Sequence, residues 1–398
     1  MVWRWRVIVA IMGIILHTGG FSWDSRAAEW SAEPSIGVKG VYNSNLILTA
    51  GPHEATYGNW VSPGVKFAGS VENLEVSGRA AADFVQYHGG ANQTFTNLYF
   101  PLALKYKIDR EFFNLEGGYT RDNTLMSELL KTGVVLRFTQ RNQFNLSPSW
   151  THALTERLSV QAGYQYANVT YENGLSLGLV DYTTQGGSGN LTYQLTEYDQ
   201  VQVIGTYTNF SAPQANDLQS EIYGGMLSLS HNFSETITAS LSAGPRFVTS
   251  TQAIAGSTMR GSQTVGVGTV TLRKNWDDAF VNIEAGREIN PSGFGFLLQT
   301  DRFGVTLSKD MSERLTASVN ATVLLASSIA TTNGSSSLPD NRYINMTPRL
   351  TWKITQWWAL DATYTYSRRE VESLNEYALS NIATVMFTYY PLKWTIGR

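Results

Sequence analysis

Five histidines, His17, His53, His88, His152 and His231, are the first candidates for acid–base or metal chemistry in this chain. They stand singly. None joins a His-Glu-x-x-His or i, i+2 arrangement that would bring two imidazoles to one ion. Cysteine is absent, which removes thiolate ligands, disulfides and a lipidated N-terminal Cys. Gly-x-Ser-x-Gly and Gly-x-x-x-x-Gly-Lys do not occur, and Gly266-Val267-Gly268 lacks the third glycine of a nucleotide-binding turn. With no nucleophile–base pattern, the expectation is no enzyme, no catalytic residue, no metal site and no cofactor.

The ions that could act together lie on the polar side of alternating segments. Parity puts Lys39, Lys66, Arg79, Asp83, Lys105, Glu116, Arg246, Glu284, Arg302, Arg349 and Asp361 on that side. Arg349 and Asp361 are equidistant from a turn centred at Thr355, so they are expected opposite one another, a contact worth roughly 0.2–1 kcal/mol. Lys66 and Arg79 flank the Glu72/Asn73 turn in the same way but share a sign. With Lys105 they would make a basic stripe that attracts acidic solutes. The competing reading is a water-screened wall neutralised by Asp83 and its neighbours.

The segments that carry these ions have a hydrophobic period of two. Leu315, Ala317, Val319, Ala321, Val323 and Leu325 alternate with Thr316, Ser318, Asn320 and Thr322. Trp358, Leu360, Ala362, Tyr364 and Tyr366 alternate with Ala359, Asp361, Thr363 and Thr365, and Leu158–Tyr166 repeats the pattern. Successive strand side chains point to opposite faces, so each segment has one apolar and one polar face, and the fold is all-β. A soluble sandwich also alternates. Composition separates the two. Only 15 % of residues are charged and 12 % are aromatic, with 35 Gly. The polar faces carry Thr, Ser, Asn and Gln, and the apolar faces end in aromatics, as expected where one face meets lipid and the other water. A net charge of -3 argues against nucleic acid as a partner.

Organisation follows from the same pattern. Arg4 and Arg6 precede an apolar run, Val7 to Leu16, and small residues follow near Ser25 and Ala27, which reads as a secretory signal peptide over 1–27. The remainder, 28–398, has no run of about 18 apolar residues, so only a closed barrel can satisfy its backbone in a membrane. A short-turn repeat, Leu154-Thr155-Glu156-Arg157-Leu158, recurs at Leu195–Asp199, Phe233–Ile237 and Met311–Leu315, and more loosely at Ile354–Trp358. Further short turns fall near Val71–Asn73, Ile108–Arg110 and Asn275–Asp277. Between them come longer connections near 44–57, 89–93, 122–141, 172–182, 212–220, 250–260, 289–299, 328–341 and 370–376. The expected architecture is a transmembrane antiparallel β-barrel of about 18 strands, each of about 10–14 residues, with short periplasmic turns and longer external loops. The first strand, Pro34–Tyr42, starts too early for a folded plug, and the last is expected to stop at Tyr390. Such a barrel encloses a water-filled channel unless something fills it. Loop 122–141 is apolar enough to fold inward and constrict it.

Pro34-Ser35-Ile36-Gly37-Val38 followed by Tyr42-Asn43-Ser44-Asn45 is similar to the start of outer-membrane barrels encoded with exopolysaccharide and exosortase (PEP-CTERM) systems. Arg141–Trp150, running into the Leu154–Leu158 turn, resembles the same group. The resemblance implies a porin-like exit for a secreted polysaccharide in the outer membrane, with outer-membrane lipid and lipopolysaccharide around it. Its further partners would be the polysaccharide cargo and a periplasmic polysaccharide-export protein. A porin for small solutes is the alternative, and a barrel-borne receptor or enzyme a third.

Overall fold

The computed structural model of the protein describes residues 28–90, 92–132, 138–254, 257–329, 340–371 and 376–397. The expected signal segment and most of loop 328–341 lie outside the described residues. The strands are β1 (Ala28–Asn43), β2 (Thr56–Val71), β3 (Leu74–Gly89), β4 (Gln93–Ile108), β5 (Glu111–Asn123) and β6 (Gln140–Ala153). There follow β7 (Leu158–Tyr171), β8 (Tyr182–Gln194), β9 (Asp199–Ala212), β10 (Leu218–Ser234), β11 (Ile237–Ile254) and β12 (Ser257–Asn275). The rest are β13 (Ala279–Pro291), β14 (Leu297–Ser312), β15 (Leu315–Ser328), β16 (Asn341–Lys353), β17 (Trp358–Val371), β18 (Glu376–Tyr389) and a short β19 (Trp394–Gly397). A helix, α1 (Thr124–Thr132), stands between β5 and β6.

Each strand from β1 to β18 pairs antiparallel with its neighbours in sequence, and β18 returns to β1 along Ile36↔Tyr389 to Asn43↔Ile382. The result is a closed 18-stranded barrel, which leaves no long edge unpaired. The outer face carries large apolar side chains in the open: Val38 is 58 % exposed, Val203 54 % and Val385 54 %. That is a lipid-facing band. No helix among the described residues is long and apolar enough to cross a membrane.

The short-turn repeat has a local cause. Its second residue is always Thr or Ser, and the hydroxyl oxygen accepts backbone N–H bonds from the residues two or three further on. Thr155 Oγ1 accepts from Leu158 N at 3.0 Å, Thr196 from Asp199 N at 3.0 Å, Ser234 from Ile237 N at 3.2 Å and Ser312 from Leu315 N at 3.1 Å. The looser copy keeps the device through Thr355, which accepts from Trp357 N at 3.1 Å. A hydroxyl that satisfies turn amides fixes where each hairpin reverses, and so its register.

The structure departs from the sequence expectation in four places. Strands β1 to β18 run from 13 residues in β5 to 19 in β12; ten keep to the expected 10–14, and the others, such as β12, are longer because pairing continues past the apolar band. β1 begins at Ala28, not Pro34, since Ala28–Ser35 pair with Gly64–Val71 of β2. The expected loop 250–260 is mostly strand, with Thr251↔Arg260 and Ile254↔Ser257 in register. Finally β18 ends at Tyr389, yet β19 resumes after Pro391 and pairs with Glu29–Ala32 of β1. Proline lacks the amide that would carry β18 on without a break.

Candidate functional site: the lumen and its mouth

The inner wall is identified by α1. The helix starts at the top of β5 and reaches β15, on the other side of the barrel, so it lies inside. Leu129 packs there with Leu48, Leu324, Ala326, Tyr343 and Ala378. Those side chains therefore point inward, and parity along each strand gives the rest.

Loop 122–141 is held inward at both ends. Asn123 Oδ1 accepts from Met126 N at 3.1 Å, a helix N-cap. Arg141 grips Asp122 with two hydrogen bonds, at 3.0 and 2.9 Å, in a pair whose side chains are 5 % and 9 % exposed. Tyr171 on β7 donates to Glu128 on the helix, and both are buried. Leu129 then contacts the far wall. Of the apolar runs Leu129–Lys131 and Val134–Phe138 expected to drive this folding, 134–137 lie outside the described residues.

Two further apolar clusters complete the mouth. Val169, Tyr182, Phe210, Leu218, Val248 and Val265 of the inner wall are covered by Leu179, Val180, Phe294 and Phe296 from two long loops. Trp60, Val85, Tyr87 and Phe95 are covered by Leu46 and Phe138. Apolar packing of loops against the wall thus narrows the end of the barrel that carries the long loops.

Below this level the inner face is polar. Hydroxyls and amides pair across strands: Asn190 donates to Gln161 at 2.7 Å, Asn320 to Thr306 at 3.0 Å, and Ser242 lies 2.7 Å from Thr269. The expected ions fall among them as follows. Arg349 Nε and Nη2 donate to Asp361 Oδ1 at 2.9 and 2.5 Å. The register is not the expected one, since Arg349 lies opposite Thr363 and Asp361 opposite Thr351. The turn is centred one residue later than Thr355, and the long guanidinium makes the contact diagonally. Arg302 Nε stands 3.3 Å from Glu284 Oε1.

Lys66 lies opposite Arg79, and Lys105 between Glu75 and Asn114. Among the described residues none of these three cations forms an ion pair. Lys39 Nζ sits 3.1 Å from the centroid of Trp60. Asp83 faces Asn97, and Glu116 accepts from Asn114 at 3.1 Å. Arg246 stands apart, its Nη2 2.9 Å from Met226 Sδ.

Sequence reasoning missed the Asp122–Arg141 clamp and the Tyr171–Glu128 contact. The clamp was detectable, because the two ions flank the loop at its two bases. Tyr171 and Glu128 were not, because their meeting depends on where the helix comes to rest. His152 and His231 each gained an acid, Glu111 and Asp199, both at 2.6 Å, on strand ends beside short turns. No group of three or more metal-ligating side chains occurs among the described residues.

No protein-family model and no curated protein matches the chain. Among solved structures it is similar to OccK5 (OpdH) of Pseudomonas aeruginosa, at 11 % identity over 91 % of this chain and 98 % of that one, with a TM-score of 0.47. It is also similar to OccAB3 of Acinetobacter baumannii, at 12 % identity over 92 % and 99 % of the two chains, with a TM-score of 0.44. The copper transporter OprC aligns at 12 % identity over 89 % of this chain and 65 % of its own, with a TM-score of 0.48. At these identities and scores the likenesses assign no activity.

Proposed function

We propose that the protein is an outer-membrane channel for small polar solutes, narrowed at its external mouth by α1. The observation that carries this reading is the helix fixed across the lumen between Tyr171 on one wall and Leu324 and Tyr343 on the other. The polar ladder below it supports the same reading, because a Thr-, Ser- and Asn-rich wall keeps the bore wet. A secreted polymer, which the sequence resemblance implies, would require the same helix to leave the lumen first. The small-solute reading needs no such movement.

Planar-bilayer recordings test it. Replacing 124–138 with a short turn should raise single-channel conductance several-fold, and an unchanged conductance would remove the helix as the constriction. A protein that conducts in neither form would end the channel reading. Lys66, Arg79 and Lys105 are proposed as the wall that attracts anions, so replacing all three with Gln should lower the anion-to-cation permeability ratio. An unaltered ratio would leave them as screened surface. A deletion strain that secretes normal amounts of surface polysaccharide would dismiss the export reading, and with it a polysaccharide-export partner.

A further inference from the structure

One recess in the lumen is not explained by narrowing or by the basic stripe. It has a volume of about 480 Å³, and residues from β6 through β14 line it. Only the concave face of a barrel lets so many strands touch one cavity. Its position is just beneath the apolar roof, whose members Phe210, Ile222 and Val267 form one side. The other side is hydroxyl and amide, with Gln165, Thr206 and Thr208 among the lining groups. Gln165 Nε2 already donates to Thr208 Oγ1 at 3.2 Å.

Arg246 projects into this recess. It lies opposite Gly224 of β10 and Val265 of β12. The guanidinium Nη1 is buried and has no hydrogen-bond partner, and Nη2 meets only the weakly accepting sulfur of Met226. Among the described residues no carboxylate lies within ion-pair distance of it. Glu288 lines the cavity without pairing to it. The residue is only half-buried, but the shielded Nη1 still lacks an acceptor, and an oxyanion is the acceptor that suits a guanidinium fork. The surroundings then define the body attached to that oxyanion: hydroxyl partners on one side and an apolar face on the other.

We propose that the recess around Arg246 binds a small polyhydroxylated oxyanion, a sugar acid or a sugar phosphate, as it passes through the bore. The anionic group meets Arg246. The ring hydroxyls meet Gln165, Thr206 and Thr208, and the C–H face of the ring lies toward Phe210 and Ile222. The proposal deepens the channel reading by naming a solute class, but binding itself does not require conduction.

Titration calorimetry on the detergent-solubilised barrel tests binding apart from transport. D-glucuronate and glucose 6-phosphate are the probes, with glucose and acetate as controls. Binding of at least one probe, about tenfold tighter than either control, is expected. Arg246→Gln should weaken it about tenfold or more, and Arg246→Lys should recover part of it, because the charge remains while the fork is lost. Glu288→Gln should tighten it, since a competing carboxylate is removed.

Acetate binding as well as glucuronate would reduce the site to a point charge and overturn the proposal. So would glucose binding as tightly as the acids, or probe affinity unchanged in Arg246→Gln. Whichever probe binds identifies carboxylate or phosphate as the preferred head. If bilayer current is absent but calorimetric binding persists, the channel reading fails and the recess stands. If current flows but binding is absent, the recess fails and the channel stands.

Discussion

The inner wall changes character along its height. At the mouth it is packed like the core of a soluble protein: Phe210 is 0 % exposed, Leu324 2 % and Val248 1 %, each covered from inside the barrel. Below the mouth the same strands present Thr, Ser, Asn and Gln in hydrogen-bonded pairs with spaces between them. The strands are continuous through both levels, so backbone pairing is not what differs. The loops differ. The longer connections at one end, such as 44–55, 124–139 and 172–181, can fold back onto the upper wall, whereas the turns of two to four residues at the other end cannot reach inside. Apolar side chains on the inner face are stable only where something covers them from within. A wall open to water has to be polar.

Four substitutions would break or sharpen this contrast, in falling order of effect. Asp122→Ala should be the most damaging, because it strands Arg141 as an uncompensated buried cation, at a cost of about 3–5 kcal/mol. A drop in the temperature at which the barrel loses its heat-resistant gel mobility would register it, and an unaltered drop-point would mean that Arg141 finds water. Phe210→Ala removes the most enclosed aromatic of the roof and should cost about 3–5 kcal/mol by the same assay. Loss of 1 kcal/mol or less would show the roof to be loosely packed.

Leu129→Ala touches the half-buried tip of α1 and should cost only about 1–2 kcal/mol. Its clearer signature is electrical: more frequent transitions to higher conductance in single-channel records. Quiet records indistinguishable from those of the unaltered protein would indicate that Tyr171 and the Asp122–Arg141 clamp alone hold the helix. At the bottom of the scale, Asp361→Asn in the open lumen should shift stability by about 0.2–1 kcal/mol, because Arg349 is half exposed and water replaces the lost partner. An effect as large as that of Asp122→Ala would refute the distinction between mouth and bore.

Much of the scaffold was legible in the chain itself. Period-two alternation gave strand faces, and every expected short turn lies at a hairpin end. In five of the eight the reason is local: a Thr or Ser hydroxyl satisfies turn amides within three residues, and that chemistry is written in consecutive positions. The Lys66–Arg79 register was legible because Glu72 and Asn73 make a two-residue turn whose centre parity locates. The Arg349–Asp361 register slipped by one because the turn between them is longer and its centre is not marked by type.

The amino-acid sequence by itself determined that these ribbons are amphipathic and antiparallel, because alternation and turn chemistry are short-range properties. Only the tertiary structure decided what stands inside the ring. Contacts such as Tyr171 with Glu128, or Leu129 with Tyr343, join residues separated by long stretches of chain across the width of the barrel. They arise from where a loop comes to rest once the wall has closed, and no spacing along the chain encodes that. The hollow beside Arg246 is of the same kind, since it exists only when nine strands curve around it.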